Sequence, residues 1–231
     1  MIQVHVGATL WRFDSSRAHH FFPGFRDVIV IGLTEGTLDW ELILASGSPR
    51  RRDLLAATGL SFQILSPDVE ELSGDDVPPR ELALSNARLK CLAVSLKHQN
   101  AIVIGADTVV ALGGRTFGKP VDLLEAASNL RLFRGRVHEV MTAVVLAHGD
   151  DIAEFVETSF VKFRDFSDDV IERYLAKVPV LDKAGGYAIQ DHGEMIVERF
   201  EGDFDTIVGL PVSLVLDQLE RMGFPVPAKD S

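Results

Sequence analysis

Three arginines in succession, Arg50, Arg51 and Arg52, follow directly on Ser46-Gly47-Ser48-Pro49. An apolar run, Glu41 to Ala45, precedes them, so they fall where a strand turns into a helix. Free N–H groups at such a junction attract anions, and guanidinium forks grip phosphate oxygens in pairs. Arginine is also badly placed at a helix N-terminus for stability alone, being repelled by its positive end. The plainer reading is a solvated basic helix end. Asp107, after the apolar run Ala101 to Ala106, could hold a divalent metal or activate water at a strand's C-terminal end, or simply cap a turn. Thr108 beside it could hydrogen-bond a ligand. Gly113 to Pro120 (GGRTFGKP) imitates the phosphate loop G-x-x-x-x-G-K-[ST], but Pro120 lacks the hydroxyl that would reach magnesium and no clean strand precedes it. That motif is rejected, which leaves Lys119 as a charge aimed at phosphate or as a surface turn lysine. Asp182 to Gln190 (DKAGGYAIQ) joins a charged pair, two glycines that permit close backbone approach, and Gln190, which offers both donor and acceptor to a base edge. A structural turn is the alternative. Lys90 and Cys91, in mid-helix, carry no role by themselves, and the histidines show no zinc-ligand spacing.

The elements that must position these residues alternate between strand and helix. Strands are expected at Glu41 to Ala45, Phe62 to Leu65, Ala101 to Ala106, Val137 to His148, Ala153 to Arg164 and Met195 to Phe200, with a hairpin about Gly113-Gly114 and a further strand in Asp182 to Gln190. Helices are expected from Pro49 to Gly59, Pro79 to about Lys97, Leu123 to Phe133, Ser167 (as N-cap) to Ala176, and Pro211 to Met222. An acidic loop, Pro67 to Val77, lies between the first two. The long antiparallel hairpins argue for a mixed sheet rather than a purely parallel one.

Composition narrows the function classes. The chain has 231 residues with 23 Lys+Arg against 34 Asp+Glu, a formal net charge of −11. Such an acidic balance argues against nucleic-acid polymers and anionic membranes as partners. The apolar share of 46% and charged share of 25% are those of an ordinary globular protein. No stretch approaches a membrane span, and charged residues interrupt any signal-peptide core near the N-terminus. One cysteine, Cys91, precludes an internal disulfide and suits a reducing, cytoplasmic setting. Residues 1–39 read as an extension, poorly ordered or accessory, ahead of a body spanning 40–231.

Taken together, eight collinear segments resemble the Maf (septum-formation inhibitor) family of nucleoside triphosphate pyrophosphatases: Ser46 to Leu55, Ser66 to Glu71, Ala87 to Cys91, Ala106 to Val110, Gly118 to Pro120, Arg134 to Thr142, Asp182 to Gln190 and Val208 to Pro211. The resemblance implies an α/β fold with a long mixed β-sheet and helices in two lobes around a central cleft, similar to the inosine triphosphate pyrophosphatases. It implies hydrolysis between the α and β phosphates to a monophosphate and pyrophosphate, with a divalent metal cation, Mg²⁺ or Mn²⁺, and a homodimer. Carried over by motif, Asp107 would accept the proton of the attacking water. Arg50, Lys90 and Lys119 would hold the triphosphate, and Glu71 with Asp107 would place the metal. Ser46 and Lys183 fall in matching segments and join the substrate-binding set. Arg51, Thr108 and Gln190 match positions tied to substrate choice, in a combination similar to the dTTP/UTP branch. The alternatives are 7-methyl-GTP or another nucleotide as substrate, or a non-catalytic nucleotide-binding regulator of cell division. The chain departs from the family pattern at Lys177 to Leu181, where Gly-Glu-Pro is usual, and at Asp191, where glycine is usual. Whatever the substrate, Arg50 to Arg52, Lys90, Lys119 and Lys183 are expected to converge as a local basic pocket in an acidic shell.

Overall fold

Unbroken apolar runs such as Leu42 to Ala45 and Ala101 to Ala106 need cover on both faces of a sheet. The computed structural model describes residues 3–6, 9–12, 41–74 and 77–227, and it shows how that cover is supplied. In the expected N-terminal extension, β1 (Gln3–Val6) and β2 (Thr9–Arg12) form an antiparallel pair with Gln3 opposite Arg12. The remainder of that extension lies outside the described residues.

Among the described residues the main sheet has seven strands. β3 (Glu41–Ala45) leads into α1 (Pro49–Ala56) and the short β4 (Gln63–Ile64), which returns parallel to β3. α2 (Pro79–Ser95) crosses to β5 (Ala101–Leu112), also parallel to β3. A turn at Gly113-Gly114, both with positive φ, joins β5 to β6 (Arg115–Phe117). Helix α3 (Leu123–Phe133) then precedes β7 (Val137–His148) and β8 (Asp151–Phe163). After α4 (Asp168–Leu175) come β9 (Val197–Glu201), α5 (Phe204–Val208) and α6 (Val212–Arg221). The spatial order is β4-β3-β5-β7-β8-β9 with β6 on β5, so a parallel part and an antiparallel part share one sheet. The expected mixed α/β architecture is present.

The period of two along β3 and β5 sorts side chains between two layers. Ile43, Ala45, Ala101 and Val103 pack with Ala83, Ala87 and Cys91 of α2. Leu42, Leu44, Ile102, Ile104 and Ala106 pack on the opposite face with Leu55 of α1 and Val215 and Leu219 of α6. A third cluster, including Phe117, Phe133, Phe163, Tyr174 and Tyr187, forms a second lobe at the far ends of β5, β7 and β8.

Three expectations need correction. β5 does not stop at Ala106 but runs to Leu112, so Asp107 lies in mid-strand. Its antiparallel partner β7 is unbroken from Val103↔Ala147 to Ala111↔Glu139, and this pairing carries the strand onward. Asp182 to Gln190 contains no strand but a 3₁₀ turn at Ala184–Gly186, where Gly185 and Gly186 have φ of 72° and 74°. Finally, α5 had no counterpart in the expected elements. Five residues long, it is held by its N-cap Asp203, whose carboxylate accepts from Thr206 N at 2.7 Å.

Candidate active site

On its other edge β5 is only partly covered. β3 pairs with it as far as Ala45↔Gly105, and β6 begins at Val110↔Phe117. Residues 106–109 therefore face a notch between the two partners, and a cavity of about 390 Å³ opens there. This is why Asp107 and Thr108 reach a site from mid-strand.

The alternation that builds the core also divides this pair. Asp107 follows the odd-numbered residues toward α2, and its Oδ1 accepts from Lys90 Nζ at 2.6 Å. The same ammonium is 3.0 Å from Glu71 Oε2. Asp107 and Lys90 are both buried, whereas the Glu71 side chain is 41% exposed. Burial alone would raise the Glu71 carboxyl, but Lys90, bonded to it, with Lys119 and Arg51 farther off, brings it below its ordinary value. Asp107 Oδ2 accepts no hydrogen bond among the described residues.

Two features of α2 bring Lys90 to that point. Gly105 has no side chain, and a Cβ there would lie 2.6 Å from Ala87 O, Cys91 N and Cys91 Cβ, so the helix backbone rests directly on β5. One turn before Lys90, the buried Asn86 accepts from Leu72 N at 2.8 Å and donates to Leu72 O at 3.0 Å. The acidic loop is thereby tied down next to Glu71.

Thr108, of even parity, turns toward α1. Arg51 is buried there and spends each of its three nitrogens on protein oxygens: Nε on Gly209 O at 2.8 Å, one terminal nitrogen on Ser46 Oγ at 3.3 Å, the other on Thr108 Oγ1 at 2.9 Å. Thr142, opposite Thr108 on β7, donates to Thr206 O at 2.7 Å, so Thr108 must be the donor in the 2.9 Å contact between the two hydroxyls. A directed chain thus runs from Arg51 through Thr108 and Thr142 to Thr206. Burial lowers the Arg51 pKa, with Asp107 opposing the shift. Gly209, φ 128°, leaves room for this packing, since a Cβ would come within 3.3 Å of Thr108 Oγ1.

The opposite rim comes from the 182–190 segment. Asp182 Oδ2 accepts from Arg50 at 2.9 Å, and Asp182 Oδ1 accepts from Lys183 Nζ at 2.7 Å, while Lys183 also donates to Pro179 O. Burial acts to raise the Asp182 carboxyl, yet Lys183 and Arg50 hold it below the usual range. Lys119, exposed, lines the cavity and forms no ion pair among the described residues. Gln190 lines it too, whereas Asp191 does not.

Every residue expected at the site borders this one cavity: Ser46, Arg50, Arg51, Glu71, Lys90, Asp107, Thr108, Lys119, Lys183 and Gln190. Arg52 is the exception to the expected convergence. It is exposed and paired with Asp53 at 2.7 Å, because consecutive helical residues point about 100° apart and three in a row cannot share one pocket. Sequence reasoning gave no separate role to Asn86, Thr142, Thr206 or Tyr187, because each acts through uncharged hydrogen bonds to partners distant in sequence or to backbone. Five cationic side chains and three carboxylates line the cavity of a chain whose net charge is −11.

These features define a mixed-sheet α/β protein whose central notch gathers cationic side chains of the kind that phosphate oxygens attract. The family model for Maf-like proteins matches residues 41–222, and the chain belongs to that family. A protein of Akkermansia muciniphila named dTTP/UTP pyrophosphatase is 46% identical over 183 residues, 79% of this chain and 97% of that one. One of the same name from Dictyoglomus thermophilum is 44% identical over 187 residues, covering 80% and 97%. Among solved structures, the Staphylococcus aureus Ham1 protein aligns with a TM-score of 0.45 at 19% identity, over 79% of this chain and 99% of that chain.

Among the described residues, no group of three or more His, Cys, Asp or Glu side chains could by itself hold a metal ion, and no helix is long and apolar enough to cross a membrane.

Proposed function

We propose that this protein hydrolyses nucleoside triphosphates between the α and β phosphates, releasing a monophosphate and pyrophosphate, with dTTP and UTP preferred. The observation that carries the reading is Lys90 bridging Asp107 and Glu71 within a notch rimmed by Arg50 and Lys119. The names of its relatives, whose lengths it covers almost entirely, support the same chemistry.

In this reading Asp107 takes the proton of the attacking water on Oδ2, the oxygen that Lys90 leaves free. Lys90, bonded to Oδ1, fixes the carboxylate in orientation. Arg50 and Lys119 bind phosphate oxygens, and their attraction grows as charge develops on the pyrophosphate leaving group. Arg51, Ser46 and Thr108 shape the pocket floor through their mutual hydrogen bonds, Lys183 holds Asp182 against Arg50, and Gln190 presents its amide to the base.

A divalent metal fits the donor set in one respect: Glu71 and Asp107 offer only oxygens, which suits Mg²⁺ or Mn²⁺ completed by water and substrate phosphates. Those two carboxylates would hold it, and when bound it would neutralise phosphate charge.

The test is pyrophosphate release with Mg²⁺ over a panel of dTTP, UTP, CTP, GTP, ATP and 7-methyl-GTP, for the wild type and Asp107→Asn. Release from dTTP and UTP that falls at least 10²-fold in the variant is expected. No release, or equal release by Asp107→Asn, overturns the proposal.

A further inference from the structure

Residues 187–190 form one wall of the cavity, yet they belong to no helix or strand and pair with no strand of the sheet among the described residues. Residues in left-handed conformations bracket them, Gly185 and Gly186 before and His192 (φ 53°) after. A wall so placed would be loose unless side chains held it, and two buried tyrosine hydroxyls do so.

Tyr174, on α4, is completely buried and borders no part of the cavity. Its hydroxyl accepts from Ala188 N at 2.9 Å and donates to Ala188 O at 3.0 Å, which is what a neighbouring strand would otherwise supply. Tyr187 is turned the other way. Its hydroxyl lies 2.8 Å from His138 Nε2, inside the aromatic cluster of Phe133 and Phe163. His138 Nδ1 makes no hydrogen bond among the described residues, so this contact is the imidazole's one anchor. Burial raises both tyrosine pKa values and takes His138 down to about 3, which keeps all three groups neutral in any ordinary buffer.

We infer that the hydroxyls of Tyr174 and Tyr187 are positioning groups for nucleotide selectivity: Tyr174 fixes Ala188, Tyr187 anchors its own residue on His138, and together they set the placement of Ile189 and Gln190 against the base. The inference rests on the nucleotide reading of the site given above. Tyr174 touches neither Lys90 nor Asp107, so its loss should spare the reacting centre and blur the choice of base.

Tyr174→Phe keeps the ring and removes only the hydroxyl. The expected result is a fall of roughly tenfold in the ratio of kcat/KM for dTTP over GTP, the order associated with losing one or two hydrogen bonds. It should arise in KM for dTTP, with kcat on GTP changed less than about threefold, and amide exchange at residues 188–190 should quicken. Tyr187→Phe should shift the ratio in the same direction. An unchanged ratio in both variants, unchanged exchange in Tyr174→Phe, or a uniform loss of kcat on every nucleotide would overturn the assignment. Should the wild type turn over no nucleotide, the hydrolytic reading fails separately. The ratio of dissociation constants for dTTP and GTP, compared between wild type and Tyr174→Phe, then decides the positioning role. Should Tyr174→Phe fail to fold, the ratio in Tyr187→Phe decides it.

Discussion

Asn86 and Lys90 stand one helical turn apart on the buried side of α2 and capture the acidic loop at two successive residues: Lys90 takes the carboxylate of Glu71, and Asn86 brackets the backbone of Leu72. The described residues of the loop belong to no helix or strand. Its approach to the notch depends on these side chains, so the placement of Glu71 is a property of the helix.

Asn86→Ala should therefore act on the site without touching it. Loss of two partly buried hydrogen bonds to backbone should destabilise the fold by about 1–3 kcal/mol. Pyrophosphate release should fall no further than it does in Glu71→Gln, and the double variant should be no worse than the more damaging single one. Urea unfolding and a double-mutant cycle on kcat/KM check both halves. Fully additive losses would mean that Asn86 acts independently of Glu71.

The contact of α2 with β5 gives a second prediction. Gly105→Ala would bring a methyl group to 2.6 Å from the backbone at Ala87 and Cys91, and neither neighbour is a flexible side-chain end. Overpacking of this kind costs about 1–3 kcal/mol. The helix should lift, carrying Lys90 away from Asp107, so activity should drop together with melting temperature. A variant that loses stability while keeping full kcat would show that Lys90 reaches its partner by side-chain adjustment alone.

What could be read in the residue order follows the range of the interactions concerned. The strand, turn and helix carrying Ser46 to Arg51 are local, and their type and order were legible from an apolar run and from Pro49 at a first helical turn. Asp107 was singled out for an incomplete reason, as a carboxylate at a strand's end. It faces the cavity because β3 stops pairing at Gly105 and β6 starts at Val110, a matter of register between strands distant in sequence. The ion pair of Arg50 with Asp182 joins residues 132 positions apart, and no spacing rule reaches that far. Tyr174 gave no signal because a buried tyrosine on an amphipathic helix looks like core, and its hydroxyl's partner is backbone. Arg52 was misassigned because a run of like residues invites a common role, while helical geometry gives each its own direction.

Cys91 should be inert in the native protein. Its thiol is buried, donates to Val103 O at 3.3 Å, and burial pushes its pKa up to about 12. Since the thiolate is the nucleophile, a disulfide reagent at pH 8 should label the folded chain at a negligible rate and the urea-unfolded chain promptly. Labelling kinetics under both conditions check this. Fast native labelling would point to local opening between α2 and β5.

Asp205, in the first turn of α5, gives a pH dependence of stability with the opposite sign to that of a salt-bridged carboxylate. Burial, with Asp203 nearby, raises its pKa from 3.8 to about 6. Between those two values the folded state binds more protons than the unfolded chain, so this group's contribution to stability falls as pH rises from about 4 to about 6. Above that window the ionised carboxylate is a net cost to the fold. Asp205→Asn removes the charge at nearly constant shape and should stabilise the protein at pH 7.5. The gain should be on the order of 1 kcal/mol, well short of the full shift because the side chain is partly solvated. It should vanish at pH 4, where the native carboxyl is already protonated. Melting temperatures of wild type and variant across pH 4 to 8 test this: parallel curves would exclude titration of Asp205, and a variant less stable at pH 7.5 would show that its negative charge at the helix N-terminus outweighs the burial.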